Sequence, residues 1–160
     1  MYSLMLEESI ANVYKAGNKV LICGNGGLCA ESDHFAAELM GKFGKDVYIS
    51  CISLSNATLI TALGNDFGFE RIFAHQVEVL GRKGDVFIGM TTSESPDVLN
   101  ALGMAKYNNL ITVAICSQKS EVMADQIYRM GGNESATIQE NVLAFLHHVA
   151  YSTKKLIGKG

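Results

Sequence analysis

Short aliphatic runs recur along the chain at 19–23, 49–53, 86–90, 111–115 and 126–130. Most are rich in β-branched residues and nearly unbroken in hydrophobicity, the pattern of strands covered on both faces. Between them the apolar positions recur at helical spacing instead of alternating. Ahead of the first run, Leu6, Ile10, Val13 and Tyr14 make one apolar face of a helix that stops at Ala16-Gly17-Asn18, where a glycine suits a helix C-terminus. Further helices are predicted at 31–42, 58–63, 70–80, 97–107 and 137–156. Strands alternating with helices predict an α/β fold, a three-layer, doubly wound, five-stranded parallel sheet with flanking helices. Such folds carry their sites on loops at the carboxyl ends of the strands. The loops concerned are Gly24-Asn25-Gly26-Gly27, then 53–58, then Thr91-Thr92-Ser93-Glu94-Ser95-Pro96.

Composition narrows the function classes. A chain of 160 residues, 48% hydrophobic and 18% charged, without linker, repeat or low-complexity tract, reads as one domain over 1–160. Its formal net charge of −3 carries no basic excess, so neither nucleic acid nor an anionic membrane surface is an expected partner. No apolar run reaches the roughly 18 residues of a membrane span. Glu7 and Glu8 stand where a secretory leader would be basic and then apolar, so the expected location is the cytoplasm. Cys23, Cys51 and Cys116 lie in apolar runs and are expected to be reduced and buried, whereas Cys29, beside the glycine loop, is a candidate for exposure.

The glycine loop brings backbone amides close to an anion at the positive end of the following helix, which suits a phosphate or a cluster of sugar hydroxyls. A dinucleotide is disfavoured, because Cys29 replaces the third glycine of the fingerprint and no acidic residue ends the second strand. The hydroxyls of Thr91, Thr92, Ser93 and Ser95 could hold a phosphate without fixed cations. Ser95 or Asp97 alone could equally be a helix cap, and Glu94 opposes a dianion unless it points away. His34 and Glu38 share one helix face and could relay protons or bind a divalent metal. Gln139 and His147 lie about 12 Å apart along the last helix. Taken singly, each histidine, including His75 and His148, reads as an ordinary surface or packed residue, and Asn65-Asp66 as turn chemistry.

In order along the chain, Gly24-Asn25-Gly26-Gly27, His34-Phe35-Ala36-Ala37-Glu38-Leu39, Gly64-Asn65-Asp66-Phe67-Gly68-Phe69-Glu70, Gly84-Asp85-Val86 and Ile138-Gln139-Glu140 with His147 resemble the phosphoheptose isomerases of the SIS (sugar isomerase) family. The resemblance covers nearly the whole chain. It implies the flavodoxin-like SIS fold, a homotetramer with sites at subunit interfaces, and isomerisation of sedoheptulose 7-phosphate to D-glycero-D-manno-heptose 7-phosphate through an enediolate. It also implies Glu38 as general base, His147 as acid, and one zinc per subunit on His34, Glu38, Gln139 and His147. Asn25, Gly26, Gly27, Asp66, Thr92, Ser93, Ser95 and Gln139 would bind the phosphorylated heptose. Because zinc weakens a carboxylate as a base, either a loose Glu38 contact or a metal that mainly polarises substrate oxygens is expected. Given the rise between Gln139 and His147, the cluster is expected to be completed between subunits.

Four departures accompany the likeness. Leu28 replaces a phosphate-touching serine, Glu94 replaces a Gly-Asn pair in a loop one residue shorter, Lys42 stands where arginine is common, and Val142 stands where a histidine is frequent. The phosphate is then held differently, by Ser53, Ser55, Thr92, Ser93 and Ser95, or the sugar differs. A non-catalytic sugar-phosphate or protein-binding module is the other reading, and retention of Glu38 argues against it. Family members usually carry a further N-terminal helix before the glycine loop, so a different assembly or a shortened form is expected.

Overall fold

The computed structural model describes residues 5–158, so the expected domain range 1–160 extends past the described residues at both ends. Five strands, β1 (Val20–Cys23), β2 (Cys51–Ser53), β3 (Val86–Thr91), β4 (Ile111–Ser117) and β5 (Gln126–Met130), form one sheet in the order β2-β1-β3-β4-β5. Every neighbouring pair is parallel. Six helices, α1 (Met5–Ala16), α2 (Gly27–Met40), α3 (Ala57–Phe67), α4 (Ile72–Leu80), α5 (Pro96–Tyr107) and α6 (Ser135–Ile157), connect and flank it. The winding reverses between β1 and β3, where this class of fold opens a crevice.

Strand alternation splits the core into two layers. Val20 and Ile22 of β1, with Val86 and Ile88 of β3, pack against Leu6, Phe35 and Val149 from α1, α2 and α6. Leu21, Cys23 and Phe87 turn the other way, onto Leu63, Phe73 and Leu102 from α3, α4 and α5. Coverage on both faces holds for β1 and β3, which are buried throughout. It fails at the edges, where Ile52 of β2 and Ile127 of β5 are exposed because an edge strand lies beyond full helix cover. Cys23, Cys51 and Cys116 are buried free thiols, raised above their ordinary pKa by burial, and Cys29 is half-buried.

The predicted helix at 58–63 proves longer. Gly64, Asn65 and Asp66 lie inside α3, not in a site loop, and the chain turns only at Gly68, whose φ of 93° a side chain would resist and whose N–H closes on Gly64 O at 3.1 Å.

At the end of the sheet opposite the glycine loop, Asp85 gathers four donors. Asn18 Nδ2 and the Lys19 N–H reach Oδ1 at 2.9 and 3.1 Å, and Lys19 Nζ and the Arg82 N–H reach Oδ2 at 2.6 and 2.8 Å. Burial alone would raise this carboxyl, but the donors more than offset it and hold it below the usual carboxylate range. A carboxylate so depressed contributes stability above its unfolded pKa of about 3.9 and loses that contribution as pH falls through the lower folded value. Asp85→Asn is therefore expected to lower stability at pH 7 by about 1.5–3 kcal/mol, the worth of hydrogen bonds to a charged group. Its penalty should shrink in urea titrations run below about pH 4, and an unchanged urea midpoint at pH 7 would contradict this account.

Candidate active site

α2 begins at Gly27, four residues before the predicted start, because Gly26 turns the chain directly into the helix with φ 57°. Leu28 then buries in the core instead of facing the loop. Gly27 has a separate constraint. A Cβ there would lie 2.4 Å from Gln139 Oε1, so the glutamine amide of α6 already occupies that space. Asn25 is held from the other side, its Nδ2 donating to Asp97 Oδ1 at 3.0 Å. Asp97 is buried, and its Oδ2 has no partner among the described residues. It tethers the glycine loop to α5, while Ser95 occupies the N-cap position without a side-chain cap bond.

Glu38 is the focus of the site. His34 Nε2 lies 2.7 Å and His147 Nε2 2.9 Å from the same Oε1, with the two imidazoles edge to face at 5.0 Å. The carboxylate side chain is only 11% exposed, against 48% for His34 and 41% for His147, so a recessed acceptor sits behind two solvent-facing rings. Its second oxygen, Oε2, is buried and has no partner among the described residues. The triad forms within one chain, which corrects the expectation that His147 meets His34 and Glu38 only across a subunit boundary. The physical reason is the packing of α6 alongside α2, which directs His147 toward Glu38 and Gln139 toward Gly27 from one helix.

The donor set suits a metal ion. His34, Glu38 and His147 each offer a ligand atom, all within 4.8 Å of one another, and two imidazoles with a carboxylate are a common zinc set. The orphaned Oε2 adds an unsatisfied acceptor at the same place.

The loop after β3 is organised by Thr91, whose Oγ1 accepts from the Ser93 and Ser95 N–H groups at 3.2 and 3.1 Å. Thr92 and Ser93 line a polar cavity of about 690 Å³, shared with Lys119 and Ser135. Glu94, at φ 53°, turns its Oε1 onto the Glu121 N–H at 2.5 Å and so bridges the loops after β3 and β4. Ser53 and Ser55 serve α2, with Ser53 Oγ 2.8 Å from Ser32 Oγ and Ser55 donating to Asp33. Asp66 is exposed on α3, accepts from Asn65, and makes no hydrogen bond or ion pair with the triad among the described residues.

Two residues escape the sequence reading. Glu31, one turn before His34 on the same face of α2, is pushed up to about 7 by burial, and its Oε2 has no partner among the described residues. The i, i+3, i+7 spacing of Glu31, His34 and Glu38 was the available signal. Phe43 stacks on the His147 ring at 5.8 Å, a contact with no local sequence signature.

The SIS domain family matches residues 5–117. The phosphoheptose isomerase of Fusobacterium nucleatum is 37% identical over 155 residues, covering 94% of this chain and 80% of that protein. Phosphoheptose isomerase 1 of Campylobacter jejuni is 40% identical over 146 residues, covering 88% and 78%. Among solved structures, a phosphoheptose isomerase from Francisella tularensis superposes with a TM-score of 0.88 at 28% identity, covering 95% of this chain and 85% of that one.

Proposed function

The chain belongs to the SIS domain family and is an isomerase, and from that premise we propose that it interconverts sedoheptulose 7-phosphate and D-glycero-D-manno-heptose 7-phosphate. The observation that carries the chemistry is the recessed Glu38 carboxylate, with one oxygen engaged by two imidazoles and the other free. Converting ketose to aldose moves a proton from C1 to C2 through an enediolate. The Glu38 carboxylate takes the C1 proton and returns it to C2, and the His147 imidazole gives a proton to the carbonyl oxygen at C2 as that oxygen gains charge. The proton that O1 must release as the aldehyde forms restores His147. His34, on the far side of the same carboxylate oxygen, fixes its orientation.

His34, Glu38 and His147 would hold one zinc per subunit, whereas Gln139, set against Gly27 about 16 Å along α2 from Glu38, would bind the sugar instead. When bound, zinc polarises the substrate oxygens and stabilises negative charge on them. The amides of Gly26 and Gly27 and the Asn25 side chain receive sugar hydroxyls, and Thr92, Ser93 and Ser95 receive the phosphate. The engagement of Glu94 by the Glu121 amide supports this, since it draws one carboxylate oxygen away from an incoming dianion. We take the enzyme to work as one domain over 1–160, in the cytoplasm, as a homotetramer in which Asp66 completes a neighbouring site. Exposed Leu59, Phe67 and Phe69, on and just after α3, supply apolar surface for such an assembly. Among the described residues no helix is long and apolar enough to cross a membrane.

The test is an NMR assay of the full chain with sedoheptulose 7-phosphate, run with chelator, with added zinc, and alongside metal analysis. Formation of the aldose, its loss on chelation and its return with zinc are expected. No aldose under any of these conditions overturns the substrate assignment.

A further inference from the structure

The α6 face that carries His147 continues through Tyr151 to Lys154, at i, i+4 and i+7. All three touch the segment that leaves α2. Phe43, stacked on His147, also meets the Tyr151 ring edge to face at 6.5 Å. The same tyrosine ring stands 2.9 Å from where a Cβ on Gly44 would be. Lys154 is buried at 0% exposure and donates from Nζ to the Gly41 carbonyl at 2.7 Å. Gly41 is the C-cap of α2, the negative end of that helix. The ammonium also lies 5.8 Å from the centre of the Tyr48 ring, and the carboxylates acting on it are Glu38 and Asp46. A lysine is almost never fully buried unless paired, so its seat on the end of the helix that carries Glu38 needs a reason.

We propose that Lys154 is a positioning residue of the active site, whose buried ammonium ties the C-terminal end of α2, and with it Glu38, to the His147 face of α6. The inference rests on the functional reading above, because a pair that moves protons and holds a metal demands that the 2.9 Å contact between these two helices be held. Misplacing reacting groups by about 1 Å can cost about 10²-fold in rate. Glu38 and His147 belong to different helices, and the tie to Gly41 fixes the relative travel of those helices within one turn of Glu38. Lys154 touches no reacting atom, so it acts through Glu38 and His147.

The experiment compares wild type, Lys154→Met and Val149→Ala in the full chain, measuring kcat, KM, zinc affinity by titration and thermal melting. Val149 is a buried core residue of the same helix and serves as the purely structural control. Lys154→Met is expected to lower kcat and zinc affinity about 10–100-fold with KM unchanged, the range for residues that orient metal ligands. Val149→Ala should melt earlier with kcat unchanged. A folded Lys154→Met with wild-type kcat and zinc affinity overturns the tie and leaves the substrate assignment standing. Zinc binding that weakens in Lys154→Met, in a wild type that makes no aldose, overturns the substrate assignment and leaves the tie standing. Should Lys154→Met not fold, amine labelling of the native wild type decides. Lys154 unreacted beside a modified, exposed Lys155 supports the tie, and equal modification overturns it.

Discussion

Glu38→Gln is expected to lower kcat on sedoheptulose 7-phosphate by about 10²–10⁴-fold, the contribution of a positioned base, with circular dichroism and melting close to wild type. The amide is nearly isosteric with the carboxylate but cannot take a proton from carbon. It also removes the charge that draws a divalent ion to the two imidazoles. The fold should tolerate the change because α2 is held by Phe35, Ala36 and Leu39, which are buried in the core. Among the described residues the wild-type Oε2 has no hydrogen bond to lose. Wild-type kcat in Glu38→Gln would remove Glu38 from the chemistry.

His147→Ala should lose activity on a similar scale, about 10²–10⁴-fold, through removal of the acid that serves the substrate oxygens. It also deletes one imidazole of the triad and the partner that Phe43 stacks on. Because Glu38 and His147 act as one unit, Glu38→Gln/His147→Ala should be little slower than either single variant, as groups that depend on each other are non-additive. The comparison is made on kcat/KM for the two single variants and the double. Losses that multiply in the double variant would mean two independent contributions, and the account of Glu38 and His147 as one unit would then be wrong.

Much of this architecture was legible in the residues. The unbroken runs of β3 and β4 announced a covered sheet, and the glycine loop before His34 placed α2 at the carboxyl end of β1. The four-residue spacing of His34 and Glu38 put them on one helix face, where the structure finds them. What the chain hid was long-range. Gln139 and His147 looked too far apart along α6 to serve one chain's site; His147 nonetheless meets Glu38 within the chain, while Gln139 stays beside Gly27 at the start of α2. The predicted helix stopped at 63, leaving Gly64 in a loop, but the positive φ that ends α3 falls at Gly68. Gly84-Asp85, part of the family likeness, proves to be scaffold, since Asp85 binds the ends of β1 and β3 away from the triad. Lys154, next to Lys155 in the last turn of α6, reads as an ordinary solvated cation until the packing shows one buried and the other exposed.

The contact between Lys154 and Gly41 joins residues 113 positions apart. During synthesis, therefore, all five strands and the glycine loop emerge before the proton-transferring pair is complete, and a nascent chain lacking α6 lacks His147 and one side of the core layer that α6 fills. Closing so large a ring adds little entropy over a smaller one, since each doubling of loop length costs only about 0.6 kcal/mol. Activity then waits on the docking of α6, and until that point the growing protein holds His34 and Glu38 without the imidazole that completes the triad.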